Sequence, residues 1–197
     1  ALPIWTALEE AHYSNIHLAL VHFPVYNKPG EVVVSSVTTL DVHDISRVCR
    51  TFGVGNFYVV TPLKTQQELV ERLIGHWMKG HGARYNPTRK EALLKTRVIK
   101  SLDAVVADVT EQCGEKPCVV VTGAKQVPNS IEFGTLRKQL QEGRPTLLVF
   151  GTGWGLEKNL IRNADCVLEP IEGNAGFNHL PVRGAIAIIL DRLLGRS

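Results

Sequence analysis

A chain of 197 residues with 44% hydrophobic and 21% charged side chains fits one globular domain, with or without a small appendage, and has ample apolar surface to bury. The formal net charge is only +3, so a nucleic-acid footprint has to come from where the charges lie. The most apolar run, near the C-terminus, is cut by Asp191 and Arg192, and no basic-then-apolar stretch reads as a signal peptide, which argues against a membrane span and for a cytoplasmic address. Cys49, Cys113, Cys118 and Cys166 show no C-x-x-C pairing and no histidine at zinc-ligand spacing, so neither a metal site nor a structural disulfide is expected. Cys113 and Cys118 flank the turn G-E-K-P, where local oxidation is the most that spacing allows.

In chain order, Ala1 to about Ser14 is an N-terminal extension of undefined role. Ile16 to Phe23 (I-H-L-A-L-V-H-F) has the composition of a strand and is followed by the break N-K-P-G. Val32 to Val37 is apolar and extended. From about Asp41 the spacing turns helical, with Thr39 or Asp41 available as N-cap, Val42, Ile45, Val48 and Cys49 on the apolar side, and Gly53 as the stop. Phe57 to Val60 is a second strand ending at Pro62, and Thr65 to Lys79 a helix with Leu69, Leu73, Ile74 and Trp77 on its apolar face. The stretch G-H-G-A-R-Y-N-P then leads into R-K-E-A-L-L-K-T-R-V-I-K. Seven cations (Lys79, Arg84, Arg89, Lys90, Lys95, Arg97 and Lys100) stand here against one acid, Glu91, making this the densest positive segment of the chain. It reads either as a solvated helix face beside a loop or as a phosphate-contacting surface, to which Tyr85 adds a ring able to stack on a base.

The remainder alternates strand and helix. Leu102 to Val109 is helical, P-C-V-V-V-T-G is a buried strand turning at Thr122-Gly123, Ile131 to Gln141 is a helix and Thr146 to Phe150 a strand. Leu156 to Arg162 makes a short helix, Cys166 to Leu168 a strand, and Leu180 to Leu194 the final helix. Strands without strict alternation, separated by helices, predict an α/β fold: a mostly parallel sheet with helices on both faces.

Three glycines alternate in G-T-G-W-G-L, Gly151 to Leu156, at the end of the strand closing at Phe150. Glycines at a strand end let the backbone approach a ligand closely and present N–H groups to it, as at a nucleotide site. A dinucleotide-binding unit carries such a turn after its first strand, with half a sheet still to come; only about 40 residues follow Gly155, although Glu169 stands where that fold would put its ribose-binding acid. A nicotinamide-dependent enzyme, an ordinary Rossmann-type methyltransferase and a bare structural turn remain alternative readings of the loop. In the last helix, Val182, Ala185, Ile186, Ile189, Leu190, Leu193 and Leu194 follow helical spacing while Ala187 and Ile188 form a second apolar face, and Pro181 suits the first helical turn. Such a helix is expected to pack on its own sheet and on something else, such as a second subunit.

F-G-T-G-W-G-L, V-L-E-P-I and N-H-L-P-V-R-G-A-I-A-I together resemble the C-terminal half of the SPOUT RNA methyltransferases, and look closest to a bacterial group also found fused to tRNA guanine-N1 methyltransferases. Far upstream, D-V-H-D-I-S-R-V-C-R-T-F-G-V, Asp41 to Val54, is similar to the first motif of the SpoU branch, where an Asn, an Arg six residues on and then Phe-Gly recur. The matches cover both ends of one SPOUT domain in the right order, so residues 1–197 are taken as a single domain. The resemblance implies a C-terminal trefoil knot, a homodimer, S-adenosylmethionine as cofactor, and methyl transfer to tRNA or rRNA, with the RNA meeting the Lys79 to Lys100 segment. By the same resemblance the cofactor is held by Thr122 and Gly123, by Gly151, Thr152, Gly153, Trp154, Gly155 and Leu156, and by Glu169, Pro170, Ile171, Asn178, His179 and Leu180. Asp41 is implied as the base for the acceptor's proton and Arg47 as the group that steers phosphate or polarises the acceptor, toward the partner's cofactor. Helix capping by Asp41 and a surface salt bridge at Arg47 are the plain structural alternatives. His43 and His179 are further groups able to titrate near neutral pH.

The sequence also departs from the SpoU pattern. The first motif's Asn is Asp41, the second glycine motif lacks its acidic residue and is one residue shorter, and the third motif's Asn is Pro181. These departures favour the cofactor fold over ribose 2′-O chemistry, leave base-nitrogen methylation open, and keep a SPOUT-fold RNA-binding module without catalysis as an alternative.

Overall fold

The computed structural model describes residues 15–79, 84–128, 130–175 and 177–196; the expected extension at residues 1–14 lies outside them. The central strand β1 (Ile16–Val21) is buried at all six positions, as a strand covered on both faces must be. It pairs with β4 (Phe57–Val60) on one side and β7 (Thr146–Gly151) on the other. With β5 (Thr96–Ile99), β6 (Cys118–Val121) and β8 (Cys166–Val167), these strands form one sheet in the order β5-β4-β1-β7-β6-β8, and every neighbouring pair is parallel. The short β2 (Val25–Tyr26) and β3 (Val32–Val33) pair antiparallel as a separate ribbon, which is all the regular structure that the expected Val32 to Val37 extension contains.

The helices α1 (Thr39–Thr51), α2 (Lys64–Met78), α3 (Pro87–Leu93), α4 (Leu102–Cys113), α5 (Phe133–Gln141), α6 (Lys158–Arg162) and α7 (Val182–Leu194) cover both sides of the sheet. One face packs Ile16, Leu18 and Leu20 of β1 against Val42 and Ile45 of α1, Leu136 and Leu140 of α5, and Ile186, Ile189 and Leu190 of α7. The opposite face packs Ala19, Val21, Tyr58 and Val60 against Val105 and Val109 of α4, with Leu160 and Ile161 of α6 at its edge. Successive residues of each strand thus feed two separate cores, the reason the strands read as unbroken apolar runs.

The structure moves several boundaries. Thr38, not Thr39 or Asp41, caps α1: its hydroxyl accepts the Asp41 N–H at 3.2 Å, which places Asp41 in the first turn. On α2 the buried residue is Val70, whereas Leu69 is exposed. The strand β5 is unanticipated, because its edge position leaves Arg97 exposed and only Thr96 fully buried, so no apolar run announces it. Leu156 is no part of α6; it is buried and bridges Val25, while Glu157 caps the helix. Ile131 precedes α5 and bridges Leu168. Pro181 is the cap of α7 with an extended ψ of 142°, one residue outside the helix.

Candidate functional site

Strands β1 and β7 are neighbours, yet the chain leaves β1 toward β4 and β5 while β7, β6 and β8 occupy the other half of the sheet. That divergence at parallel strand ends opens a crevice, the usual ligand position in such a sheet. The loops after β7, β6 and β8 all begin at this carboxyl-terminal edge, and with Gly151, the last residue of β7, they contain every residue singled out for cofactor binding.

The glycine loop is largely built by its own packing. A Cβ on Gly151 would lie 2.8 Å from Leu156 Cγ and 2.9 Å from Leu156 N, and one on Gly153, whose φ is +59°, would lie 2.8 Å from the Tyr26 carbonyl oxygen. Gly155 sits at φ +106° with nothing within 4 Å, so only there does the loop present bare backbone to open space. The ribbon holds the loop from one side: Trp154 N–H donates to Tyr26 O (2.8 Å) and Tyr26 N–H to Gly155 O (2.9 Å). Thr152 is fixed from below, its hydroxyl donating to Val21 O at 3.0 Å and lying 2.5 Å from the Ser35 hydroxyl. Trp154 is exposed.

The other two loops meet this one. Asn178 Nδ2 donates to Ala124 O at 2.9 Å, bringing the segment after β8 onto the loop that carries Thr122 and Gly123. His179 meets the Trp154 ring edge-on at 5.6 Å, and Phe177 lies beside His179 at 5.8 Å. Leu180 is exposed, Pro170 buried and Ile171 half-buried beneath them. Glu169 points elsewhere: its Oε1 accepts the Phe133 N–H at 2.7 Å, serving the start of α5. Thr122 hydrogen-bonds the Val149 carbonyl at 3.1 Å, and Gly123 has no atom within 4 Å of where a Cβ would stand.

Asp41 lies at the same edge, on α1, with its side chain only 12% exposed. Thr38 donates its hydroxyl to Asp41 Oδ2 (2.5 Å) and Arg183 Nη1 donates to Asp41 Oδ1 (3.2 Å), while Arg183 Nε stands 3.6 Å from Asp44 Oδ2. Arg183, in the first turn of α7, therefore locks α1 to α7. The sequence reading gave Arg183 no role, since its partner lies 142 residues away. It also passed over His22, at the end of β1. His22 is fully buried; its Nδ1 lies 3.1 Å from the Ser35 hydroxyl, its Nε2 has no partner, and burial lowers its pKa to about 4 against a partly compensating pull from Asp41. If Thr152 donates to Val21 and Ser35 to Thr152, Ser35 accepts from His22 Nδ1–H, so one polar chain runs from the end of β1 to the glycine loop. The clue available beforehand was a histidine closing a strand that is otherwise apolar after His17.

Arg47 is exposed on α1, and its guanidinium has neither an ion pair nor a hydrogen bond among the described residues; the six residues from Asp41, about one and two-thirds helical turns, put it about 120° round the helix from the face that Asp41 occupies. The basic segment divides: Arg97 is held by Asp108 at 2.7 Å and Arg50 of α1 takes Glu91 at 2.6 Å, while Lys79, Arg84, Tyr85 and Lys95 are exposed, and residues 80–83 are outside the description. Among the described residues no group of His, Cys, Asp and Glu is arranged to hold a metal ion, the four cysteines are free thiols, and no helix is long and apolar enough to cross a membrane. Two cavities open away from the loops. One, of about 220 Å³, lies between α1 and α3 near Ser46, Cys49 and Ala92; the other, of about 380 Å³, lies at the opposite sheet edge near His17, Asn56 and Cys113.

A family model described as SAM-dependent RNA methyltransferase matches residues 15–195. The chain is 40% identical over 184 residues to an uncharacterised protein of Aquifex aeolicus, covering 93% of this chain and 90% of that one. It is 45% identical over 181 residues to a protein of Nitratidesulfovibrio vulgaris named tRNA (guanine-N(1)-)-methyltransferase, covering 92% of this chain but only 42% of that protein. Among solved structures, the A. aeolicus TrmH/SpoU tRNA modifying enzyme aligns over 96% of this chain and 80% of its own with a TM-score of 0.55 at 17% identity, a likeness of fold.

Proposed function

The chain belongs to the SAM-dependent RNA methyltransferase family, and from that premise we propose that it is a single knotted domain, working as a homodimer in the cytoplasm, that methylates tRNA or rRNA. The observation that carries the proposal is the convergence of the three loops after β6, β7 and β8 at one corner of the sheet, joined by the Asn178 to Ala124 hydrogen bond and the Trp154 to His179 contact. These residues fit the cofactor. Gly123 and Gly155 leave open space for a flat nucleoside to lie against peptide groups, and the exposed rings of Trp154 and Phe177 with Leu180 offer apolar cover. Thr122, Gly123, Gly151 to Leu156, Pro170, Ile171 and Asn178 to Leu180 would hold it, with Glu169 shaping its loop from the α5 side.

S-adenosylmethionine supplies an activated methyl group when bound. The chain's own part is to align the RNA acceptor and remove its proton as it attacks. Asp41 takes that proton in our reading, its carboxylate oriented by Thr38 and Arg183. The exposed Lys79 to Lys100 cations draw in the RNA backbone. The course of the C-terminal segment supports the knot: after β8 it passes the β6 loop at Ala124, and α7 then returns to β7, α1 and α5. The dimer is supported by α7, which leaves Ala187 and Ile188 half-exposed outside the core. The guanine-N1 activity named for the longer relatives is not carried over, because more than half of such a relative lies outside the match.

Titration calorimetry with S-adenosylhomocysteine, the demethylated product, should give a dissociation constant in the micromolar range or tighter. Nucleoside mass spectrometry of tRNA and rRNA from cells lacking the gene should show one missing methyl mark, restored by the wild-type gene and not by Asp41→Ala. No binding at millimolar nucleoside, with no missing mark, would overturn the proposal.

A further inference from the structure

Helices α1, α2 and α3 meet at a corner of the molecule whose polar chemistry is unfinished. Arg89 of α3 stacks its guanidinium on the Trp77 ring of α2, 4.7 Å from the centroid, and its Nε is buried without a hydrogen-bond partner. His43 of α1 packs edge-on against the same indole at 5.7 Å, and its Nδ1 is likewise buried and unpartnered. Arg47, one turn beyond His43 on α1, is exposed. The positive charges of Arg89 and Arg47 both reach His43, adding to the effect of burial in lowering its pKa, and Asp44 is the carboxylate that opposes them.

The contrast with other arginines is informative. Arg50 holds Glu91, Arg97 holds Asp108, and Arg183 holds Asp41 and stands beside Asp44, each with a carboxylate within 4 Å. Arg47 and Arg89 hold none among the described residues, as is also true of Arg72, Arg144, Arg162 and Arg192, but of these only Arg89 has a buried N–H without a partner. The buried Arg89 N–H left without an acceptor costs stability, and an external anion with several acceptor oxygens at this guanidinium and at the exposed Arg47 would balance charge that no carboxylate of the fold meets. The stacked indole holds the Arg89 fork in one plane, which suits a tetrahedral oxoanion better than a freely rotating lysine would.

We propose that Arg47 and Arg89, with Arg89 braced on Trp77 beside His43, form a phosphodiester-binding site that anchors the RNA substrate away from the methyl-transfer crevice. The inference rests on the RNA-methylating reading, and it assigns Arg47 to holding RNA rather than to the chemistry at Asp41. RNA is the occupant favoured over a free phosphate because Lys90 on α3 and Lys79 and Arg84 flanking α2 and α3 extend the positive surface beyond a single anion.

The test is binding of unfractionated tRNA and of rRNA fragments, by fluorescence anisotropy across a salt series, for wild type, Arg47→Gln, Arg89→Met, Arg89→Lys and Lys116→Gln. The last is a charge control in the loop before β6, and methionine at position 89 keeps an apolar group on the indole. Arg47→Gln and Arg89→Met should each weaken binding roughly tenfold and reduce the slope of log affinity against log salt by about 0.7 to 0.9. Arg89→Lys should restore part of the affinity, Lys116→Gln should match wild type, and binding of S-adenosylhomocysteine should be unchanged throughout. Wild-type RNA binding with unaltered affinity and slope in both variants would overturn the site alone. So would an equal loss in Lys116→Gln, or a variant that turns a dimer into a monomer in light scattering, which would assign the arginines to a second copy's carboxylates. If wild type binds no RNA at all, the proposed substrate class falls with the site.

Discussion

Acidification should destabilise this protein through two buried histidines before its carboxylates are titrated. His17 is 2% exposed and His22 fully buried, and burial is the main reason that each has its pKa lowered from 6.5 to about 4. Asp108 opposes the shift at His17 while Lys95 and Arg97 add to it; Asp41 opposes it at His22. For a base whose folded pKa lies below its unfolded one, the unfolded chain binds the proton first. The contribution to stability is therefore intact above pH 6.5, declines as the pH falls, and stops changing below about 4. At pH 5.5 each histidine is about 90% protonated in the unfolded chain and almost neutral in the fold, a loss of about 1.4 kcal/mol each, or about 3 kcal/mol together. Against a typical domain stability of about 5–15 kcal/mol this is measurable. Urea unfolding at pH 8 and 5.5, at fixed ionic strength, reads it directly. His22→Asn, which keeps a nitrogen near Nδ1 for Ser35, and His17→Gln, which keeps one near Nε2 for Cys113, should each remove about half of the difference. Contributions from carboxylates cancel between wild type and variants, so an unchanged pH dependence in the double variant would refute the reasoning.

Gly151→Ala should cost about 1–3 kcal/mol, because the clash is with the backbone and core side chain of Leu156 and not with a movable tip; chemical denaturation checks it. Gly153→Ala should cost at least as much, adding a positive φ to the contact with the Tyr26 carbonyl, and both should weaken S-adenosylhomocysteine binding in calorimetry. Arg183→Gln leaves Asp41 without its cation; since Arg183 is 41% exposed, the loss should be only about 1 kcal/mol by thermal melting. Asp41→Asn should reduce turnover by roughly two to four orders of magnitude while leaving S-adenosylhomocysteine binding within a factor of three, whereas a parallel loss of binding would argue for a structural role.

The layer architecture was legible because it is written in short-range terms. The runs at Ile16–Val21, Phe57–Val60, Cys118–Val121 and Thr146–Gly151 are each too short for a helix and apolar but for His17 and Thr146, and helical spacing between them leaves a parallel sheet as the economical arrangement. Where that signal thins, the reading slipped. β5 is an edge strand whose solvent-facing Arg97 is spent on Asp108 and whose four residues sit inside a basic run, so its charge masked its pairing with β4. Leu156 stands at helical spacing from Leu160, which reads as the start of a helix, whereas its burial follows from Gly151 folding back on it and from Val25 across the turn.

The site divides along the same line. The half proposed to hold the cofactor is local: each of the three loops follows directly from a strand, so the strands locate the loops, and sheet order brings them together. The polar half is long-range. The Asp41 carboxylate shares partners with the cap residue three positions before it and with an arginine 142 positions after it, and only the first of these is implied by a helix-start pattern. His22, Ser35 and Thr152 come together from the end of β1, the chain after the ribbon and the glycine loop, three places that no periodicity connects. The consequence is mechanical. A change at the α7 start is felt at Asp41 through Arg183, and a change at the end of β1 is felt at Thr152 through Ser35, so the proposed base and the proposed cofactor loop are each tied to a segment remote in sequence. Glycine substitutions in the loop should therefore alter cofactor affinity, and Arg183 substitutions should alter turnover, with little exchange between the two effects.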